Sequence, residues 1–182
     1  LFFVFSEGIT NDMSRGFVKE GDQEEPVVVP SRAALPPHVT NYVTPTGLYL
    51  LQTEKETLLQ QLAALKSADE RELRRKRTYY NGVIQKINER IASARVIDPL
   101  QQPQDEVRFG ARVTYQMLPA PQENTLTIVG VDEADIKQGK IAFVAPLAQA
   151  ITGAKVGETV PFRLGNDQRS ILIKHIAYLP QE

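Results

Sequence analysis

Hydrophobic and polar positions change period twice along this chain, and each change marks a boundary. From Leu48 onward, Leu51, Leu58, Leu62 and Leu65 recur at steps of three and four, with Lys55 in the same seam. That spacing places one stripe on one face of an α-helix. Thr44 ahead of it is a good N-cap, and Pro45 suits the first helical position. Ser67-Ala68-Asp69 interrupts the pattern, and a second stripe follows at Leu73, Arg77, Tyr80, Ile84, Ile87, Ile91 and Ala94. Two stripes of matching length joined by a few residues predict an antiparallel helical hairpin, a coiled coil, over residues 44–98. The first arm, about 22 residues, would be ~33 Å long at 1.5 Å per residue. Lys55 and Arg77 can lay their stems across the seam while the charges reach water. Gly82 costs the second arm about 1 kcal/mol relative to Ala. The hairpin should be firmest at its base, where Leu48 and Leu51 face Ile87 and Ile91, and loosest at the far end.

Residues 99–106, with Pro99 and Pro103 among polar neighbours, have the composition of a linker. Beyond them the period becomes two: Val107, Phe109, Ala111, Val113 and Tyr115 alternate with other residues, predicting a strand. Further strands are predicted near 124–130, 140–144, 158–164 and 169–178. Ala145 to Thr152 reads as one short helix, opened by Pro146 and stopped by Gly153. Residues 107–182 are therefore expected to form a small domain with an antiparallel β-sheet, and the whole chain is α+β. Residues 1–43 contain several prolines, which block regular helix, and are expected to be extended and partly mobile. Val27-Val28-Val29 could pair as a short strand or lie along a neighbour. Met13-Ser14-Arg15 reads like a natural start, so residues 1–12 are expected to be upstream sequence.

Composition narrows the function classes. The formal net charge is -1 over 182 residues, against the basic excess that a general nucleic-acid coat needs. There is no Cys, hence no disulfide framework and no thiolate metal site. The two His, His38 and His175, are far apart, so no metal site is expected. No apolar run approaches the ~20 residues of a membrane span. A cytoplasmic setting and no membrane partner are expected.

The richest local pattern is Val129-Gly130-Val131-Asp132-Glu133-Ala134-Asp135, followed by Gly139-Lys140-Ile141, Pro146 and Lys155-Val156-Gly157-Glu158. With Val107-Arg108-Phe109-Gly110-Ala111 and Thr127-Ile128, it closely resembles the C-terminal domain of the GreA/GreB transcription factors. Thr44-Pro45-Thr46-Gly47-Leu48 and Ile91-Ala92-Ser93-Ala94-Arg95-Val96-Ile97-Asp98 resemble the start and exit of that family's coil. The resemblance implies an FKBP-like fold for the C-terminal domain, docked at the rim of the secondary channel of bacterial RNA polymerase. It also implies a hairpin that enters the channel, whose acidic tip helps hold Mg²⁺ in the polymerase active site to cleave backtracked RNA. Two carboxylates can share such an ion and position a water.

The sequence departs from the family in three places. The arms are shorter by roughly one turn of ~5.4 Å or more. The tip pattern is broken, since Asp69-Glu70-Arg71-Glu72 is followed by Leu73-Arg74-Arg75-Lys76. Ala142 and Ala145 stand where the family has Ser near the docking loop.

Each candidate residue has a plainer reading beside the functional one. Asp69 and Glu72 could assist Mg²⁺ at the tip or form an N-cap and its capping-box partner. Arg71, Arg74, Arg75, Lys76 and Arg77 form a basic patch that could meet nucleic acid or acidic polymerase surface, or be a solvated helix face. Asp132, Glu133 and Asp135 are expected to dock on the polymerase, with Phe143, Ala145 and Pro146 as the apolar centre of the contact; a turn is the alternative. The expected function is a transcription elongation regulator at the secondary channel, monomeric, touching nucleic acid only through the transcription complex. It is expected not to be an enzyme, to need no cofactor of its own and to stimulate transcript cleavage poorly. The alternatives are a genuine cleavage factor using Asp69 and Glu72, with Mg²⁺ as the shared ion, and an FKBP-like peptide-binding or prolyl isomerase module, though fold alone does not imply that activity.

Overall fold

The computed structural model describes residues 26–165 and 167–180. The expected upstream segment 1–12 and the start at Met13 lie outside the described residues.

Helix α1 spans Pro45–Ala63 and α2 spans Glu70–Ala92, and they pack as the antiparallel hairpin that the two stripes predict. Thr44 caps α1, accepting the Gly47 N–H on its hydroxyl at 2.8 Å. At 19 residues, α1 is about 28 Å long. Leu51, Ile84 and Ile87 are buried in the half of the hairpin toward the base. Toward the tip, Leu58, Leu62 and Leu65 are only half-buried and Arg77 is exposed. The gradient follows from geometry, because the C-terminal domain and the two-stranded sheet cover the hairpin at its base.

Strand β1 (Asn41–Val43) precedes α1, and β2 (Ala94–Val96) follows α2. They pair parallel, Asn41 opposite Ala94 and Val43 opposite Val96, closing the base of the hairpin with a two-stranded sheet. The side chain of Asn41, itself buried, donates to Arg90 O and Ser93 Oγ.

Residues 1–43 were expected to be extended and partly mobile, and those before 26 lie outside the described residues. Residues 27–33 lie along α2, parallel to it, and the chain then turns at Pro36–Val39, where the Val39 N–H donates to Pro36 O and His38 stands at φ +66°. Val27 faces Tyr79 and Tyr80 across a shallow groove near the tip. Val29 sits over Gly82, where an added Cβ would come within 2.6 Å of Val29 Cγ2. Further down, Lys86 Nζ donates to Val29 O and Pro30 O, and Arg90 to Ala33 O. Gly82, a weak point in an isolated helix, is thus the seat of this strap.

The C-terminal domain is a five-stranded sheet in the order β5-β4-β3-β7-β6. Its strands are β3 (Arg112–Leu118), β4 (Glu123–Val129), β5 (Lys140–Ala142), β6 (Thr159–Leu164) and β7 (Asp167–Ala177). Helix α3 (Pro146–Ile151) packs its Ala148 and Ile151 into a core of Val107, Val113, Ile128, Ile171 and Ile173. Gly153, at φ +87°, ends it as expected.

Three details differ from the periodicity. The sheet is not wholly antiparallel: β4 and β5 run parallel, because a ten-residue connection with a 3₁₀ turn at Ile136–Gln138 carries the chain back to the same end. The first strand begins at Arg112 and not at Val107, although Val107 and Ala111 are fully buried as the alternation requires. Gly110 stands at φ +87° and so close to Pro99 that an added Cβ would lie 2.7 Å from its ring, which turns the backbone out of the ladder. The segment 99–106 is anchored as well as connecting: Pro99 is buried, and the hydroxyl of Tyr178 donates to Glu106 O and accepts from the Arg108 N–H.

Candidate functional site

The loop after β4 carries the acidic residues expected to meet a partner, and it is instead the joint between the hairpin and the C-terminal domain. Gly130 lets it approach β1, since a Cβ there would stand 2.9 Å from Tyr42 O. The Asp132 side chain is 6% exposed. Its Oδ1 accepts from Arg32 Nε at 2.8 Å. Arg90 Nε lies 2.8 Å from Oδ2, outside hydrogen-bond alignment, so that contact is an ion pair. Glu133 is 8% exposed; it accepts from the Thr44 hydroxyl through Oε2 and from Lys140 Nζ through Oε1 at 3.1 Å. The residue that caps α1 is therefore held in turn by this loop.

These contacts occupy inside the chain the two carboxylates, Asp132 and Glu133, that were expected to dock on a partner. A buried carboxylate is retained where a cation or hydroxyl meets it, and both are consumed inside the chain. Asp135 caps the 3₁₀ turn, accepting the Lys137 N–H on Oδ1 at 2.9 Å and Gln138 Nε2 on Oδ2 at 3.0 Å. Phe143 is half-buried and packs edge-to-face against Tyr42 at 5.6 Å and Phe109 at 5.7 Å between ring centroids. With Val39, Arg95 and Arg108 these rings line a groove of about 490 Å³. Pro146 is exposed at the start of α3, and Ala145, its N-cap, supplies no side-chain cap. Of the expected docking set, Pro146 is exposed, Asp135 is half-buried, and Ala145 is half-buried against the core. The exposed apolar group nearest in sequence is Ile136, 86% exposed on the 3₁₀ turn.

At the hairpin tip, Asp69 caps α2 through Oδ1, accepting from the Arg71 N–H at 2.8 Å and more weakly from the Glu72 N–H at 3.4 Å. Glu72 does not return to the Asp69 N–H as in a simple capping box. Ser67 intervenes: its hydroxyl donates to Glu72 at 2.7 Å and accepts from the Asp69 N–H at 3.1 Å. Lys76 Nζ stands 2.8 Å from Glu72, one turn on. The hydrogen bond from Lys76, then that from Ser67, holds the Glu72 carboxyl below its ordinary range. Arg71, Arg74, Arg75, Lys76 and Arg77 are all exposed. Arg74 lies 4.0 Å from Glu70 and Lys76 pairs with Glu72, so part of the basic patch is balanced along its own helix. Among the described residues no group of three or more His, Cys, Asp or Glu is arranged to hold a metal ion, and no helix is long and apolar enough to cross a membrane.

Sequence reasoning missed Arg32 and Arg90, the two cations that clamp Asp132. Neither lies in a motif. Arg90 occupies a flank of the second stripe, and Arg32 lies in a Pro-rich stretch 100 residues from the carboxylate it binds.

The sequence pattern described as "Transcription elongation factor, GreA/GreB, C-term" matches residues 102–178. Transcription elongation factor GreA of Acidiphilium cryptum is 33% identical over 137 residues, covering 71% of this chain and 87% of that protein. The protein of the same name from Thermodesulfovibrio yellowstonii is 32% identical over 121 residues, covering 63% of this chain and 77% of that protein. Among solved structures, the GreA/GreB factor from Nitrosomonas europaea is 21% identical, covering 75% of this chain and 98% of that one, at a TM-score of 0.38. A superposition that poor leaves the assignment to the sequence relatives. Those relatives correct one expectation. The chain was expected not to be an enzyme, yet the proteins it matches are named transcription elongation factor GreA, the class to which the resemblance attached stimulated hydrolysis of RNA. By the length and identity of these matches, the chain belongs to the GreA/GreB family of transcription elongation factors.

Proposed function

We propose that this protein acts on bacterial RNA polymerase during elongation, as a monomer in the cytoplasm, and stimulates cleavage of backtracked transcripts at the secondary channel. The observation that carries this reading is a carboxylate-bearing tip, Asp69 and Glu72, held at the end of a long arm whose base is fixed to the family domain by a buried joint. An arm about 28 Å long can carry its tip into a channel while the domain stays at the rim. The outward-facing docking surface is then Ile136 and Pro146, with Asp135 shaping the turn that presents Ile136.

Two exposed carboxylates three residues apart at a helix start suit a shared divalent ion, with the remaining donors supplied by the polymerase. Asp69 and Glu72 would be this chain's ligands to such an ion, and Mg²⁺, if held there, would supply an acidified water. What this chain contributes is orientation: Asp69 is fixed by its cap, and Glu72 is held ionised by Lys76 and Ser67. Glu72 would have to leave its ion pair with Lys76 to ligate an ion.

The test uses a stalled, backtracked elongation complex. Release of short 3′ RNA fragments above the polymerase's own background is expected, with loss of that excess in Asp69→Ala and Glu72→Ala. Release at background with the unaltered protein, under conditions where it binds polymerase, refutes the reading.

A further inference from the structure

We infer that Arg32 is a positioning residue that sets the angle between the hairpin and the C-terminal domain. The inference concerns the free protein and stands apart from the reading of its action on polymerase.

Arg32 is the one described side chain in the strap that bonds both bodies. Its Nη1 and Nη2 each donate to Glu54 on α1 at 3.0 Å, a two-pronged contact, while Nε donates to Asp132 of the loop after β4 at 2.8 Å. Glu54 lies along the arm, nine residues beyond the first residue of α1. Asp132 belongs to the C-terminal domain. A planar guanidinium bonded along two edges fixes direction as well as distance. Burial works against its charge, yet the hydrogen bonds it donates to Glu54 and Asp132 outweigh it and raise its pKa, so Arg32 stays a cation under all ordinary conditions.

The remaining links at the joint lie closer to the base. Thr44 to Glu133, and Tyr42 against Phe109 and Phe143, hold the start of α1, and β1 pairs with β2 to close the hairpin's own base. Contacts at one end of an arm locate its root and leave its tilt soft. Arg32 braces the arm part-way along its length, and its own position is fixed by the strap: Val29 seated over Gly82, Lys86 on Val29 O and Pro30 O, and Arg90 on Ala33 O. Arg90 reaches the second oxygen of the same Asp132, so strap, α2 and loop converge on one carboxylate.

The chain contains no Cys, which allows two labels to be placed cleanly. Spin labels on Ala64→Cys at the far end of α1 and His175→Cys on β7, both exposed, report the distance between tip and domain by pulsed dipolar spectroscopy. A single narrow distance is expected for the otherwise unaltered chain. Arg32→Ala is expected to lose it for a broad distribution at unchanged helix content, and Arg32→Lys to remain broad, because an ammonium cannot make the two-pronged contact. Glu54→Gln, which leaves the Asp132 pair untouched, is expected to broaden it as well, and it carries the test if Arg32→Ala fails to fold. A narrow, unshifted distance in Arg32→Ala, or in Glu54→Gln where the first does not fold, overturns the inference.

Discussion

Replacing Asp132 by Ala should be the most costly single change at the joint. Its carboxylate is 6% exposed and sits 2.8 Å from each of two guanidinium groups, whose own side chains are 18% and 13% exposed. Removing one partner of a buried pair costs about 3–5 kcal/mol, most of it the penalty of leaving the other charge unpaired. Two features place this case at the lower end. Arg32 keeps Glu54, and Arg90 keeps Ala33 O. About 3 kcal/mol is expected, and with a urea slope of roughly 2 kcal/mol/M the midpoint should fall by about 1.5 M. Equilibrium unfolding in urea, followed by circular dichroism, measures it. Asp135→Ala on the same loop is the control, since it removes only the cap of a three-residue turn and should cost about 1 kcal/mol or less. If the two variants lose the same stability, the buried ion cluster is not what holds the joint, and the account of this loop fails. If Asp132→Ala loses polymerase binding at full stability, the docking role first read from the sequence returns.

Two further outcomes follow from the hairpin. Ile87→Ala, at a fully buried position near the base, should cost about 2–5 kcal/mol, whereas Leu59→Ala, 43% exposed toward the tip, should cost well under 1 kcal/mol; thermal melts of the two separate a graded hairpin from a uniform one. Glu72 should titrate below the ordinary carboxylate range in a carbon-detected NMR pH series, and Lys76→Ala should move it back up. Because its folded value is lowered, any stabilisation from this pair is present above the ordinary glutamate range and fades as pH falls through the lowered value.

Much of the architecture could be read from the chain because it depends on local rules. Steps of three and four put Leu51, Ile84 and Ile87 on facing stripes, and those residues are buried. Thr44 and Pro45 mark the start of α1, Pro146 and Gly153 bracket α3, and the period of two carries the buried row Val107, Ala111 and Val113. Asp69 was legible as a cap for the same reason, since an oxygen two or three residues ahead of unpaired N–H groups needs nothing from elsewhere in the chain.

The fate of the acidic loop could not be read that way. Asp132, Glu133 and Asp135 look alike in sequence, as a run of turn carboxylates, yet one is clamped by two arginines, one joins a helix cap to a lysine, and one caps its own turn. What separates them is distance in space between residues up to 100 apart in the chain, which no local pattern encodes. The strap shows the same division. Composition alone predicts that residues 1–43 are extended, because proline blocks helix; only packing decides that residues 27–33 lie on α2, with Val29 in the space left by Gly82. The sequence by itself determined the elements, the hairpin and the family. Tertiary structure decided which charges face water and which are consumed in holding the arm to the domain, because burial and pairing are properties of where the chain meets itself.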